Sequence, residues 1–162
     1  MISSIIKAAN ENDHYVVPVE LGGTFLIAEF DTGAGTTIIS LDVFTGKIAD
    51  EKREKIKDFF SQKSVLAEEF RSASGDSIYG YPVYANGAVI GGVSFPSFTY
   101  YLIVENKRSL ALIGHDFIDH CQFSHKFGDD IVIDDFDFDS YKEDVKKRVS
   151  DEDLLTYIDS LN

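Results

Sequence analysis

Between Tyr15 and Phe30 the chain carries two apolar, β-branched-rich runs, Tyr15 to Leu21 and Thr24 to Phe30, on either side of Gly22-Gly23. Alternation around a Gly-Gly pair predicts a β-hairpin. A tight turn, Asp31-Thr32-Gly33-Ala34-Gly35, follows and leads into a further strand-like run from Thr36 to Ile39. The character then changes. Ser40 to Phe60 is rich in Lys, Glu and Asp, with Ile48, Ile56, Phe59 and Phe60 on roughly one face, which predicts a helical insert over about 41–60. Strand-like patterns return from Val65 to Val104, with Phe70 to Tyr79 bracketing the turn Ser74-Gly75-Asp76 and Gly91-Gly92 dividing another apolar pair. Leu110 to Ile118 is an apolar stretch interrupted from Gly114 to Asp116. Beyond Phe127 the chain is acidic, with one short strand expected around Ile131-Val132-Ile133. Ser150 to Asp153 resembles a capping box, opening a last helix with Leu154, Leu155, Ile158 and Leu161 inward. The pattern predicts a mostly β chain, a small closed β-barrel or folded sheet with a helical insert and a C-terminal helical tail.

Length fits this reading. The chain has 162 residues, enough for one core but not two. The expected division is a main unit at 1–127 with an acidic extension, 128–162, packed on the same domain. Thirteen Phe and eight Tyr supply aromatic packing in the absence of Trp. No apolar run approaches the roughly 18 residues of a membrane-spanning helix. Met1 to Asn12 does not read as a secretory signal, and the single cysteine, Cys121, accords with a reducing compartment. A cytoplasmic protein is therefore expected.

Fifteen Lys and Arg stand against 28 Asp and Glu, a formal net charge of −13. That field repels phosphate backbones, so nucleic acid is a poor partner, and with no long apolar run no membrane partner is expected either.

The candidate chemistry lies at Asp31-Thr32-Gly33. An apolar strand delivers a carboxylate to a sharp turn, and glycine lets a ligand backbone approach it, which suits a catalytic acid or base. An Asp in a turn also bonds its own backbone, so these residues alone are equally good turn chemistry. Gly33-x-Gly35 after a strand resembles a nucleotide loop, but Ile38 takes the third glycine position and strand, not helix, follows. His115, His120, Cys121 and His125 lack a spacing that aligns metal ligands on one face. Asp135, Asp137 and Asp139 alternate as in a calcium loop, yet Ser140 replaces its glycine and Lys146 its closing glutamate. No metal and no organic cofactor is expected.

Taken with two further elements, the turn resembles the retropepsin-like (retroviral-type) aspartic peptidases. Asp31-Thr32-Gly33-Ala34 matches that family's catalytic loop. Leu112-Ile113-Gly114, continued by Phe117-Ile118, matches its second signature, and Arg71 to Asp76 resembles its flap. The resemblance covers roughly residues 15–127. It implies an aspartic endopeptidase acting on peptide or protein substrates as a homodimer, because the chain holds one Asp-Thr-Gly and no second copy. It further implies that Asp31 of each copy activates a shared water and that Thr32 locks the two loops together. Gly33 and Ala34 would meet the substrate backbone, while Ser74, Gly75 and Asp76 form the closing hairpin. His115 stands where such relatives often carry Arg. The alternative is a catalytically idle fold of this type serving as a binding or dimerisation module.

Overall fold

A computed structural model describes residues 6–11, 14–46, 48–71, 74–105, 109–124, 131–142 and 147–162. The hairpin forms as its alternation predicts. Strands β2 (His14–Leu21) and β3 (Thr24–Phe30) pair antiparallel through Leu21↔Thr24. Gly22 and Gly23 take φ of 54° and 82°, the left-handed values a two-residue hairpin turn needs. Val17, Val19 and Leu21 with Leu26, Ala28 and Phe30 face the core, whereas Pro18, Glu20, Phe25 and Ile27 face outward.

The other strands are β1 (Ile6–Glu11), β4 (Ile38–Ser40), β5 (Glu68–Arg71), β6 (Ser77–Ala85), β7 (Ala88–Ile90), β8 (Val93–Phe95) and β9 (Phe98–Ile103). They continue with β10 (Ala111–Ile113), β11 (Cys121–Ser124), β12 (Ile131–Phe136) and β13 (Val149–Ser150). All join one mixed sheet whose main path runs β11-β12-β1-β2-β3-β10-β4-β9-β6-β13, with β5 beside β6 and β7 bridging β2 and β8. The path has two ends, so among the described residues the strands form an open sheet rather than a hydrogen-bonded ring. Both β12 and β13, from the acidic part of the chain, belong to it.

The helical insert divides in two. Helix α1 (Leu41–Thr45) stops at Gly46, whose φ of 68° suits a C-cap glycine and whose N–H returns to the Asp42 carbonyl. Helix α2 (Asp50–Gln62) then turns Ile56, Phe59 and Phe60 inward. The Arg53 guanidinium ties the pair together, donating to Asp42 Oδ1 at 2.6 Å and to the Val104 carbonyl. Phe60 stacks on Tyr81 at 4.3 Å, and Phe59 meets Tyr157 of α5 (Asp151–Ser160) at 4.8 Å. Ser150 occupies the N-cap position of α5 without a side-chain capping bond, contrary to the capping-box expectation. Leu154 and Ile158 are buried as expected, with Leu155 and Leu161 packed against the same core.

Two further helices are short, α3 (His115–Ile118) and α4 (Phe138–Lys142). The alternating aspartates end there. Asp137 accepts the Ser140 N–H at 3.2 Å and so caps α4; its carboxyl is held below the ordinary range by that bond and by the Ser140 hydroxyl. An aromatic cluster of Phe95, Phe117, Phe136 and Tyr141 ties α3, β12 and α4 to the sheet, with Phe117 and Phe136 rings 4.7 Å apart. Among the described residues no helix is long and apolar enough to cross a membrane.

Candidate active site

Strand β10 is inserted between β3 and β4, parallel to the first and antiparallel to the second. This places the loop after β3 and the loop after β10 side by side. The Asp31 N–H donates to the Ile113 carbonyl at 2.9 Å, so the residue is fixed at its backbone by the neighbouring strand. Its side chain turns into its own loop, where Oδ1 accepts the Gly33 N–H at 2.9 Å, while its carbonyl accepts the Ala34 N–H at 3.0 Å. A Cβ on Gly33 would come within 3.2 Å of that Oδ1. The carboxylate thus serves its own turn through Oδ1.

The two loops are bound together at several points. His115 N–H donates to the Ala34 carbonyl at 2.9 Å and Asp116 N–H to that of Gly35 at 3.2 Å. Beneath them lies Thr37, fully buried. Its hydroxyl donates to Asp116 Oδ1 at 2.6 Å and accepts the Gly114 N–H at 3.2 Å, and its own N–H reaches Asp116 Oδ2 at 2.9 Å. Burial pushes the Asp116 carboxyl above its ordinary range, against the pull of the two Thr37 bonds. Gly114 admits no side chain: a Cβ would lie 2.6 Å from the backbone carbon and oxygen of Thr36. Thr37 and Asp116 were invisible to sequence reasoning, because their pairing spans 79 positions and neither belongs to a recognisable local pattern.

A cleft of about 1180 Å³ opens over this loop. Asp31, Gly33, Ala34, Ser74 and Asp76 all line it, so the two groups of expected site residues meet in one place. Thr32 and Gly75 do not line the cleft; Thr32 is exposed beside it, and Gly75, with φ of 87°, makes the turn of the hairpin between β5 and β6. Within that hairpin Ser74 Oγ lies 3.2 Å from Asp76 Oδ2, and Ser77 Oγ donates to Glu69. Ser72 and Ala73, also part of the flap expectation, lie outside the described residues. The cleft walls add Phe70, Tyr79, Tyr81 and Ile103, and α2 contributes Lys57, paired with Glu105 and Glu54. The helical insert therefore forms part of the cleft edge.

The histidines and the cysteine have separate partners. His120 bonds Ser140 at 2.6 Å, Cys121 contacts the Phe117 carbonyl, and burial pushes the Cys121 thiol up to about 12. His115 faces Thr32 and Asp119. His125 lies outside the described residues. Among those described, no three His, Cys, Asp or Glu side chains gather as a metal site.

Among solved structures the chain is similar to a retropepsin-like aspartic protease from Rickettsia conorii, with a TM-score of 0.53 and 17% identity over 80% of this chain and 89% of that one. The fold is retropepsin-like. No protein-family model and no curated protein sequence matches the chain. At this identity the likeness is one of architecture alone; in this chain Asp31 follows the end of β3 and lines the cleft.

Proposed function

We propose that this retropepsin-like chain is an aspartic endopeptidase whose active site forms between two copies, each giving Asp31. The observation that carries the reading is the position of Asp31. A strand end pins its backbone, one carboxylate oxygen is held by Gly33, and the cleft it lines is bordered by the Ser74–Asp76 hairpin. Thr32 and Gly33 are exposed on the loop, where a second copy can reach them. The chain has one Asp-Thr-Gly, so a carboxylate pair requires a two-fold dimer.

The chemistry then follows the pattern known for aspartic proteases, in which two close carboxylates share one proton. The ionised Asp31 takes a proton from a water held between the pair, and the water oxygen bonds to the peptide carbonyl carbon. The protonated Asp31 gives its proton to the carbonyl oxygen. Collapse of the tetrahedral species breaks the C–N bond, with a proton passing to the leaving nitrogen. Gly33 and Ala34 offer backbone to the substrate, and the hairpin carrying Ser74, Gly75 and Asp76 closes over it to exclude water. Peptides or proteins in the cytoplasm are the substrates on this reading, and the acidic segment 128–162 is part of the same domain.

Asp31→Asn tests it. The amide retains an oxygen for the Gly33 N–H, so the turn and the fold persist. Cleavage of a peptide library should fall at least about a hundredfold, the usual contribution of a positioned acid or base. A folded Asp31→Asn protein that cleaves as well as the parent would end the aspartic-peptidase reading.

A further inference from the structure

His115 opens α3 beside the Asp31 loop, with its side chain about half exposed. Its Nε2 lies 2.8 Å from the Thr32 carbonyl oxygen, and its Nδ1 lies 2.8 Å from Asp119 Oδ1. Both neighbours are acceptors. A neutral imidazole has one N–H and satisfies only one of them, whereas an imidazolium satisfies both. We infer that His115 is a positioning residue, an imidazolium bridge from Asp119 to Thr32 that holds the catalytic loop and releases Thr32 when the ring becomes neutral.

The choice of which bond fails is set by charge. Asp119 offers a carboxylate and Thr32 a neutral carbonyl, so the single proton of a neutral ring stays on Nδ1. The Nε2 lone pair then faces the Thr32 oxygen, and contact becomes repulsion. The charged and polar groups facing the ring all favour the cation. Asp119 and Asp116 come from its own helix and helix end, and the Thr32 carbonyl comes from the loop packed against it. Asp31, the carboxylate of that loop, is adjacent to Thr32. The Asp119 bond, and after it the Thr32 bond, hold the His115 pKa above the ordinary histidine value, against a small opposing effect of burial. A raised histidine pKa means that the bridge is complete below the ordinary value and is lost as pH rises through the raised one. An arginine here would stay charged at every pH; histidine makes the support conditional.

The consequence for turnover rests on the aspartic-peptidase reading; the consequence for the loop does not, and the experiment separates them. The loop is followed by NMR in the full chain, through the His115 ring titration and the exchange protection of the Gly33 and Ala34 amides. Between about pH 6 and pH 9 the protection should fall about fivefold, as expected for one lost hydrogen bond, with a midpoint at the His115 titration. His115→Gln, neutral throughout, should resemble the high-pH state at all pH, and His115→Arg should keep full protection at high pH. In the cleavage assay, the ratio of kcat/KM for His115→Arg over wild type should rise with pH at that same midpoint. Amides that ignore the His115 titration, or an arginine variant whose loop loosens in step with wild type, would overturn the bridge. If the amides respond while no variant cleaves any peptide, the bridge stands and the peptidase reading falls.

Discussion

Thr37→Val removes one buried hydroxyl and little volume, so its effect reports directly on the contact joining the two loops. The hydroxyl serves a carboxylate at 2.6 Å and a backbone N–H at 3.2 Å. A hydrogen bond to a charged group contributes about 1.5–3 kcal/mol, and leaving a buried N–H unpaired costs about 1–3 kcal/mol. The Asp116 carboxylate keeps its bond from the Thr37 N–H, which places the expected loss near the lower end of the combined range, about 3 kcal/mol. For a domain of this length that is a fall of roughly 6–12 °C in Tm. The loss should also depend on pH with a definite sign. A buried carboxyl with a raised pKa binds its proton more tightly folded than unfolded, so its ionisation costs stability as pH rises through the folded value. Removing a donor raises that pKa further. The deficit of Thr37→Val should therefore be greatest near neutral pH and shrink on acidification, as Asp116 becomes protonated. Urea unfolding of both proteins across pH measures it. A deficit below about 0.5 kcal/mol at neutral pH, the scale of an ordinary surface change, would refute the account of the Thr37–Asp116 contact.

Gly114→Ala should destabilise by about 1–3 kcal/mol or more, because the new methyl meets immovable Thr36 backbone rather than a side chain that can swing away; a melt matching wild type would show that the loops are not packed as described. Each copy carries −13, so pairing assembles −26 (twice −13), and salt that screens beyond about 8–10 Å should tighten the dimer. Sedimentation at low and high salt checks this, and weaker association at high salt would mean that opposite charges dominate the interface.

The hairpin of β2 and β3 was legible because its period-two burial and its paired glycines act within a dozen residues. The turn at Asp31 and the glycines at 91–92 were legible for the same local reason, whereas Leu112-Ile113-Gly114 stood out through its resemblance to a family signature. The insert read as one helix because its charged pattern runs on past Gly46; the break there depends on a positive φ that composition does not disclose. Strand β1 was not expected at all, since Ile6 to Glu11 mixes charge and small residues and gains its place from pairing with β2 and β12. The acidic segment was expected to pack on the same domain with one strand and a last helix, but the burial of Phe136 and Tyr141 and the cap that Asp137 places on α4 were not read. In the site, Asp31 and its loop were visible, whereas Thr37, Asp116 and the partners of His115 were not. The Thr37–Asp116 and His115–Thr32 contacts join loops that only the insertion of β10 between β3 and β4 brings together.

The central claim is that two Asp31 carboxylates share one water, and subunit mixing tests it most directly. Wild-type chain at fixed concentration is exchanged with increasing Asp31→Asn chain, and cleavage of a peptide substrate is followed. A mixed dimer retains one carboxylate and should be inactive. With free exchange, equal amounts should leave about half the activity and a ninefold excess about a tenth, because only wild-type pairs work. Wild-type activity unmoved by a large excess of exchanged mutant would contradict the shared site and require each chain to carry a complete one.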